Sequence, residues 1–248
     1  KWEMDAYRDV EASADGPFPL VLFSHGFAGY RMQSTFLTTH LASWGYVVAS
    51  ADHDGRGLAA ALNADISSDD DAPQTMQAVR QELVSRSMGQ SGRFAGLIDE
   101  TKVAVTGHSA GARSAVTYAS NQDVAAVVGM AGGPMNTSSP IDLGAETFLM
   151  AGTRDGIVPA SQVKAGWDVI QDDKRYLNIQ DAGHLAFSDI CLIGRDRGGL
   201  LEIASRNGVN VPSFIKSLAS DGCRQDDLPP ELAWPVVNHF AVAQIRHA

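Results

Sequence analysis

Cysteine is nearly absent from this chain. Only Cys191 and Cys223 occur among 248 residues, in no C-x-x-C or Cys/His ligand spacing, so a zinc or dithiol redox centre has no sequence support. Positive charge is also scarce, with 19 Lys and Arg against 29 Asp and Glu and a formal net charge of −10. Nucleic acid and anionic membrane surfaces demand basic patches, so neither is an expected partner. No apolar run approaches the roughly 18 residues of a spanning helix, which excludes a transmembrane segment from the reading. Repeats, low-complexity tracts and linkers are lacking too, and residues 1–248 read as a single domain. The first residue is Lys1 rather than Met and no signal peptide is visible. We read this as a processed or trimmed product, secreted or periplasmic, with a cytoplasmic address as the alternative. The segment between the two cysteines is rich in Gly, Arg and Asp and poor in apolar residues. Such a loop gains from a staple, so a Cys191–Cys223 disulfide is expected over two buried free thiols.

What the chain does carry is an alternation of apolar runs and helical spacings. FPLVLFS (18–24), bounded by Gly16-Pro17 and His25-Gly26, reads as a buried parallel strand. Residues 31–44 place Met32, Phe36, Leu37, Leu41 and Trp44 at helical spacing, and Gly45 ends the pattern. YVVASAD (46–52) reads as the next buried strand, followed by a long polar connection over 53–73. Within it, Asp69-Asp70-Asp71 could hold calcium, but Asp71 with Gln74 and Pro73 better fits a capped helix entry. A helix is expected over about 74–98, then strands at 102–106, 124–131, 146–151 and 175–180. This order predicts an α/β fold: a doubly wound, mostly parallel sheet with helices on both faces.

The chemistry is read from the edge where those strands end. Gly107-His108-Ser109-Ala110-Gly111 spells G-x-S-x-G between a strand and a helix, the context in which a serine is held exposed on a sharp turn. Serine is a weak nucleophile without a base. Of the histidines after Ser109, His239 and His247 fall in a helix-like tail, whereas His184 lies in a glycine-containing loop just past a strand. His184 is therefore the candidate base. Asp155, in a turn directly after FLMAG, is the candidate orienting acid; Asp181, three residues before His184, is its competitor. Backbone N–H groups of Ala110 and of Phe27, in the loop His25-Gly26-Phe27-Ala28-Gly29, are placed to form an oxyanion hole, with Gly26 expected to supply a special backbone angle.

Together, FPLVLFSHGFAG, LASWGYVVASADH, VAVTGHSAGA, FLMAGTRDGIVP and DAGHLAFSD resemble the α/β-hydrolase superfamily over about Phe18 to Asp189. More narrowly the chain resembles its dienelactone-hydrolase-like and platelet-activating-factor-acetylhydrolase-like serine esterases. That likeness implies Ser109 as nucleophile, Asp155 as acid, His184 as base, and Phe27 and Ala110 as oxyanion donors. Dienelactone hydrolases carry cysteine at the elbow, so their substrate does not transfer to a chain with Ser109. The superfamily usually places two or three strands before the His-Gly loop; 17 residues precede Phe18, and the front of the sheet is expected to be missing. The implied activity is hydrolysis of small-molecule carboxylesters of short to medium chain, without cofactor or metal. Segments 53–73 and 185–230 are expected to wall the pocket, and they lack the aromatic density of an interfacial lid. The alternatives are a lipid or polyester hydrolase and, from another class, a non-catalytic binding protein on the same fold.

Overall fold

The computed structural model describes residues 6–63, 65–67, 71–135 and 137–248. Six strands form one sheet: β1 (Phe18–Ser24), β2 (Val47–Ser50), β3 (Ile98–His108), β4 (Ala126–Met130), β5 (Glu146–Gly152) and β6 (Lys174–Ile179). All neighbours pair in parallel, in the order β2-β1-β3-β4-β5-β6. The expected doubly wound α/β architecture is therefore present. Among the described residues ahead of Phe18 there is no strand, and β1 enters directly at an interior position of the sheet.

Side chains alternate across each strand, so a single run feeds two cores. Val21 and Phe23 of β1 join Val128, Met130 and Phe148 against helices α1 (Thr35–Ser43) and α8 (Pro230–His247). Leu20 and Leu22 join Val103, Val105, Val127 and Leu149 on the opposite face. There they meet α3 (Ala72–Met88), α4 (Ala110–Ala119) and α5 (Ala160–Val169). Burial on both faces is why β1, β4 and β5 read as unbroken apolar runs.

Several sequence expectations shift on inspection. The strand at 46–52 is an edge strand, half-buried rather than buried, because β1 alone pairs with it. The helix expected over 74–98 stops at Met88, before Gly89, and turns fill the chain to the start of β3. β3 is longer than expected: Ile98 and Asp99 pair with Phe18 and Pro19, then the register jumps so that Leu20 meets Val103. Gly45, at φ 87°, does terminate α1, a left-handed position that glycine adopts without a Cβ clash. Asp71 sits at the start of α3 with Pro73 in its first turn, but its side chain makes no cap bond. Asp69 and Asp70 of the considered calcium run lie outside the described residues. The connection 53–73 contains a short helix, α2 (Leu58–Asn63). After β6, three 3-10 turns (His184–Phe187, Ile190–Leu192, Arg195–Arg197) lead into α6 (Gly199–Arg206) and α7 (Ser213–Leu218). No helix among the described residues is long and apolar enough to cross a membrane.

Candidate active site

The carboxyl ends of β1, β3, β5 and β6 gather the singled-out residues at one edge of the sheet. Ser109 follows β3 with φ 58° and ψ −122°, a conformation that non-glycine residues rarely hold. Its N–H donates to Met130 O at 2.8 Å, which ties the turn to β4. The flanking glycines are required by close approach. A Cβ at Gly107 would lie 2.2 Å from Gly111 O, and one at Gly111 would lie 2.0 Å from Ser24 O. The elbow therefore rests directly on the backbone of β1.

Asp155 and His184 meet across that edge. The Nδ1–H of His184 donates to Asp155 Oδ2 at 2.8 Å, and both side chains are fully buried. The other carboxylate oxygen accepts Ile157 N–H at 2.9 Å and Val158 N–H at 2.7 Å, fixing the carboxylate from behind. With Nδ1 donating, Nε2 of His184 is left as an acceptor, and it is buried without a hydrogen-bond partner among the described residues. Asp181 does not reach the imidazole. It is exposed, at φ 59°, and its carboxylate faces Arg154 Nε at 3.6 Å and Gln180, so it does not close the loop on backbone N–H groups as a turn aspartate would. His239 and His247 lie far along α8, where His247 pairs with Glu146.

Phe27 lies in the loop after β1. Gly26 N–H is taken by Gln33 Oε1 at 3.1 Å and Ala28 N–H by Arg56 O at 2.8 Å, while Phe27 N–H between them has no partner among the described residues. Ala110 is the first residue of α4, whose leading N–H groups have no intrahelical acceptor. The special backbone angle expected at Gly26 falls instead on Ala28, at φ 55°. Glycine is needed at 26 for space, since a Cβ there would lie 3.1 Å from Ser109 Cβ and 3.2 Å from His108 O.

Ser109, His184 and Phe27 line one small cavity of about 70 Å³. Leu58, Leu185, Ile190, Leu200, Ile215 and Leu218 complete its apolar wall, so parts of both expected wall segments are used. A larger groove of about 1000 Å³ lies on the far side of Ile190, Leu200 and Ala219, which line both spaces.

Three supporting groups had no signal in the sequence. Gln33, almost fully buried, donates through Nε2 to His108 Nδ1 at 2.6 Å, and His108 Nε2–H donates to His184 O at 3.0 Å. Burial, and then the neighbouring His184, hold His108 well below the usual histidine range, so it is neutral as these bonds require. Arg56 reaches under the loop after β1 to Ser114 Oγ at 2.6 Å, and to Ser24 Oγ and His25 O at 2.9 Å. Asp221, 2% exposed, accepts His184 N–H at 2.7 Å and Gly156 N–H at 3.2 Å. The Cys191–Cys223 disulfide is formed, closing a segment with a separation of 32 residues, and its second cysteine lies two positions from Asp221. A disulfide fits an extracellular or periplasmic setting.

A parallel α/β sheet, a serine on a strained strand-to-helix turn and a buried Asp–His pair beside it define an α/β-hydrolase-type protein. The profile of the PETase family, described as PET hydrolase-like, matches residues 7–192, and the chain belongs to that family of ester hydrolases. No curated protein matches the chain.

Proposed function

We propose that the protein is a serine carboxylester hydrolase that cleaves short-acyl esters through an acyl-enzyme. One observation carries the reading: a buried imidazole whose Nδ1 is bound to Asp155 and whose Nε2 is an unpartnered acceptor, on the wall of the cavity that Ser109 also lines. Ser109 Oγ attacks the ester carbonyl while His184 Nε2 takes its proton, and Asp155 stabilises the imidazolium that results. The developing oxyanion receives the N–H groups of Phe27 and Ala110. His184 then delivers its proton to the departing alcohol, and water repeats the sequence on the acyl-enzyme.

The cavity volume supports a short acyl group. About 70 Å³ is far below the roughly 300 Å³ of a drug-sized pocket. A polyester is the second reading, favoured by membership of the PET hydrolase-like family. It requires the α6–α7 wall to yield to a longer acyl unit. The test is a panel of p-nitrophenyl esters of rising acyl length, run beside soluble-product release from a polyester film, with Ser109→Ala as control. Turnover highest on acetyl and propionyl esters, and lost on the order of 10⁴-fold in Ser109→Ala, is the expected result. Undiminished turnover in that variant would place the nucleophile elsewhere. Faster release from the film than from short esters would select the polyester reading. Absence of turnover and of fluorophosphonate labelling would return a binding protein.

A further inference from the structure

The segment after α7 carries a carboxylate that the ester-hydrolysis scheme does not use. Asp221 sits with its side chain 3% exposed, and its two oxygens go to two different loops. Oδ1 accepts the N–H of His184 at 2.7 Å, and Oδ2 accepts the N–H of Gly156, the residue after Asp155, at 3.2 Å. Leu185 N–H adds a bond to Asp221 O at 2.8 Å, so one residue grips the histidine loop by side chain and main chain. The backbones are packed to contact here. A Cβ at Gly183 would lie 2.4 Å from Gly222 N, and one at Gly222 would lie 2.7 Å from Leu185 N. Asp227 secures the grip from the other side, accepting Gly222 N–H and Arg224 N–H at 3.0 Å each.

We propose that Asp221 is a positioning residue for the site: it fixes the His184 and Asp155 loops to each other and sets a negative charge beside the imidazole. The inference rests on the reading of His184 as the base. The carboxylate is bonded to the main chain of the residue whose ring holds Asp155, and an anion close to an imidazole favours its charged form in general. Among the described residues, few other ionisable groups face His184. Asp155 holds Nδ1 at 2.8 Å, and the neutral His108 ring lies 4.7 Å away between centroids. Asp189, on the turn that follows, is engaged by Thr35 and Phe36 of α1. The face of α8 packed on 184–187 brings Ala233, Val237 and Ala241, which do not titrate. Among the described residues, the exposed Arg224 is the cation near Asp221, its NH2 3.7 Å from Oδ2.

Two substitutions move this balance in opposite directions. Asp221→Asn retains the size of the side chain, removes the charge and keeps one of the two accepted N–H bonds, since an amide has a single acceptor oxygen; Arg224→Gln removes only the exposed counter-charge. The ionisation midpoint of His184 is followed by NMR of the histidine-labelled protein, beside kcat and KM on a short ester. Asp221→Asn is expected to lower the midpoint, and to lower kcat on the order of 10²-fold with KM changed little. Arg224→Gln is expected to raise the midpoint by roughly a few tenths of a pH unit. A lower kcat with an unmoved midpoint in Asp221→Asn would reduce the residue to scaffolding and overturn the proposal. Should that variant fail to fold, an unmoved midpoint in Arg224→Gln overturns it alone. Should the wild type hydrolyse no ester, the functional reading falls, while the titration still decides what Asp221 does to His184.

Discussion

The two halves of the candidate site are held by different means. The serine half is built into the sheet. Ser109 sits between β3 and α4, its turn rests on β1, and Arg56 and Gln33 anchor the neighbouring loop from inside the core. The histidine half hangs from the edge. His184 begins a 3-10 turn beyond the half-buried strand β6, and its fixed position depends on Asp155, on Asp221 and on the loop that the disulfide closes. A strained backbone such as Ser109 persists only where its surroundings over-determine it, and the sheet provides that. An imidazole has only to meet one carboxylate and present one nitrogen, which a stapled loop can achieve. Backbone damage to the serine half should therefore strike fold and chemistry together, whereas a side-chain change at Asp155 should separate them.

The largest separation is expected at Asp155. Asp155→Asn preserves shape but favours the wrong imidazole tautomer, and turnover should fall on the order of 10⁴-fold at neutral pH with little loss of stability. Asp181→Asn, which alters an exposed carboxylate facing Arg154, should stay within about twofold of wild type, since exposed pairs contribute little. Steady-state kinetics of both variants, with thermal melts alongside, test the assignment. A crippled Asp181→Asn beside an active Asp155→Asn would reverse it.

The next effect is on the staple. Replacing Cys191 and Cys223 by serine frees a loop of about 32 residues, for which chain entropy gives roughly 3–4 kcal/mol of lost stability. The freed segment carries α6, α7 and Asp221, so the cavity wall formed by Leu200, Ile215 and Leu218 loosens as well. Urea melts of the double variant should show the loss. Its acyl preference should move toward longer esters, because the space beyond Ile190, Leu200 and Ala219 becomes reachable. An unchanged acyl profile at reduced stability would mean that the wall holds its place without the bond.

The same division marks what the sequence disclosed. Ser109, Asp155 and His184 were legible because each follows an apolar run that ends at one sheet edge, and the order of runs decides which loops meet. The elbow glycines were legible as a motif, and Gly111 proves to answer a 2.0 Å approach to Ser24 O. Gly26 was read for the wrong reason, since spacing cannot tell a glycine needed for φ from one needed for room. Gln33, Arg56 and Asp221 were not legible. Arg56 and Asp221 lie in polar segments without periodicity, Gln33 lies inside the 31–44 pattern without being one of its apolar positions, and the partners in side-chain hydrogen bonds stand 7 to 75 positions away in Gln33 and 37 to 65 in Asp221. Burial of a charged group is decided by tertiary packing, and nothing local marks it. β2 was read as buried because an apolar edge strand and an interior one look alike until the neighbours are known.

The smallest expected effect joins the two halves. Asp189, on the turn after His184, sends its carboxylate to the start of α1, where it accepts Thr35 N–H at 2.5 Å, the Thr35 hydroxyl, and Phe36 N–H at 3.2 Å. Those donors favour the carboxylate, but burial outweighs them and pushes its pKa up to about 6. Its charge in turn helps burial push the Tyr30 phenol up to about 12. A carboxyl group raised in the folded state contributes stability that is complete below its unfolded value, near 4, and is lost as pH rises through about 6. Other carboxylates shift the opposite way, Glu231 through its bonds to Arg195 among them, so the whole-protein curve mixes signs. The difference between wild type and Asp189→Asn removes them, because they are common to both. That difference should fall by about 2–3 kcal/mol between pH 4 and pH 7, read from urea melts at fixed ionic strength. The asparagine also loses part of the bonding to Thr35 and Phe36, which offsets the whole curve by about 1–3 kcal/mol without bending it. A difference that is flat in pH would show Asp189 ionising as it does in the unfolded chain, and the tie between the histidine turn and α1 would then be an ordinary hydrogen-bonded cap.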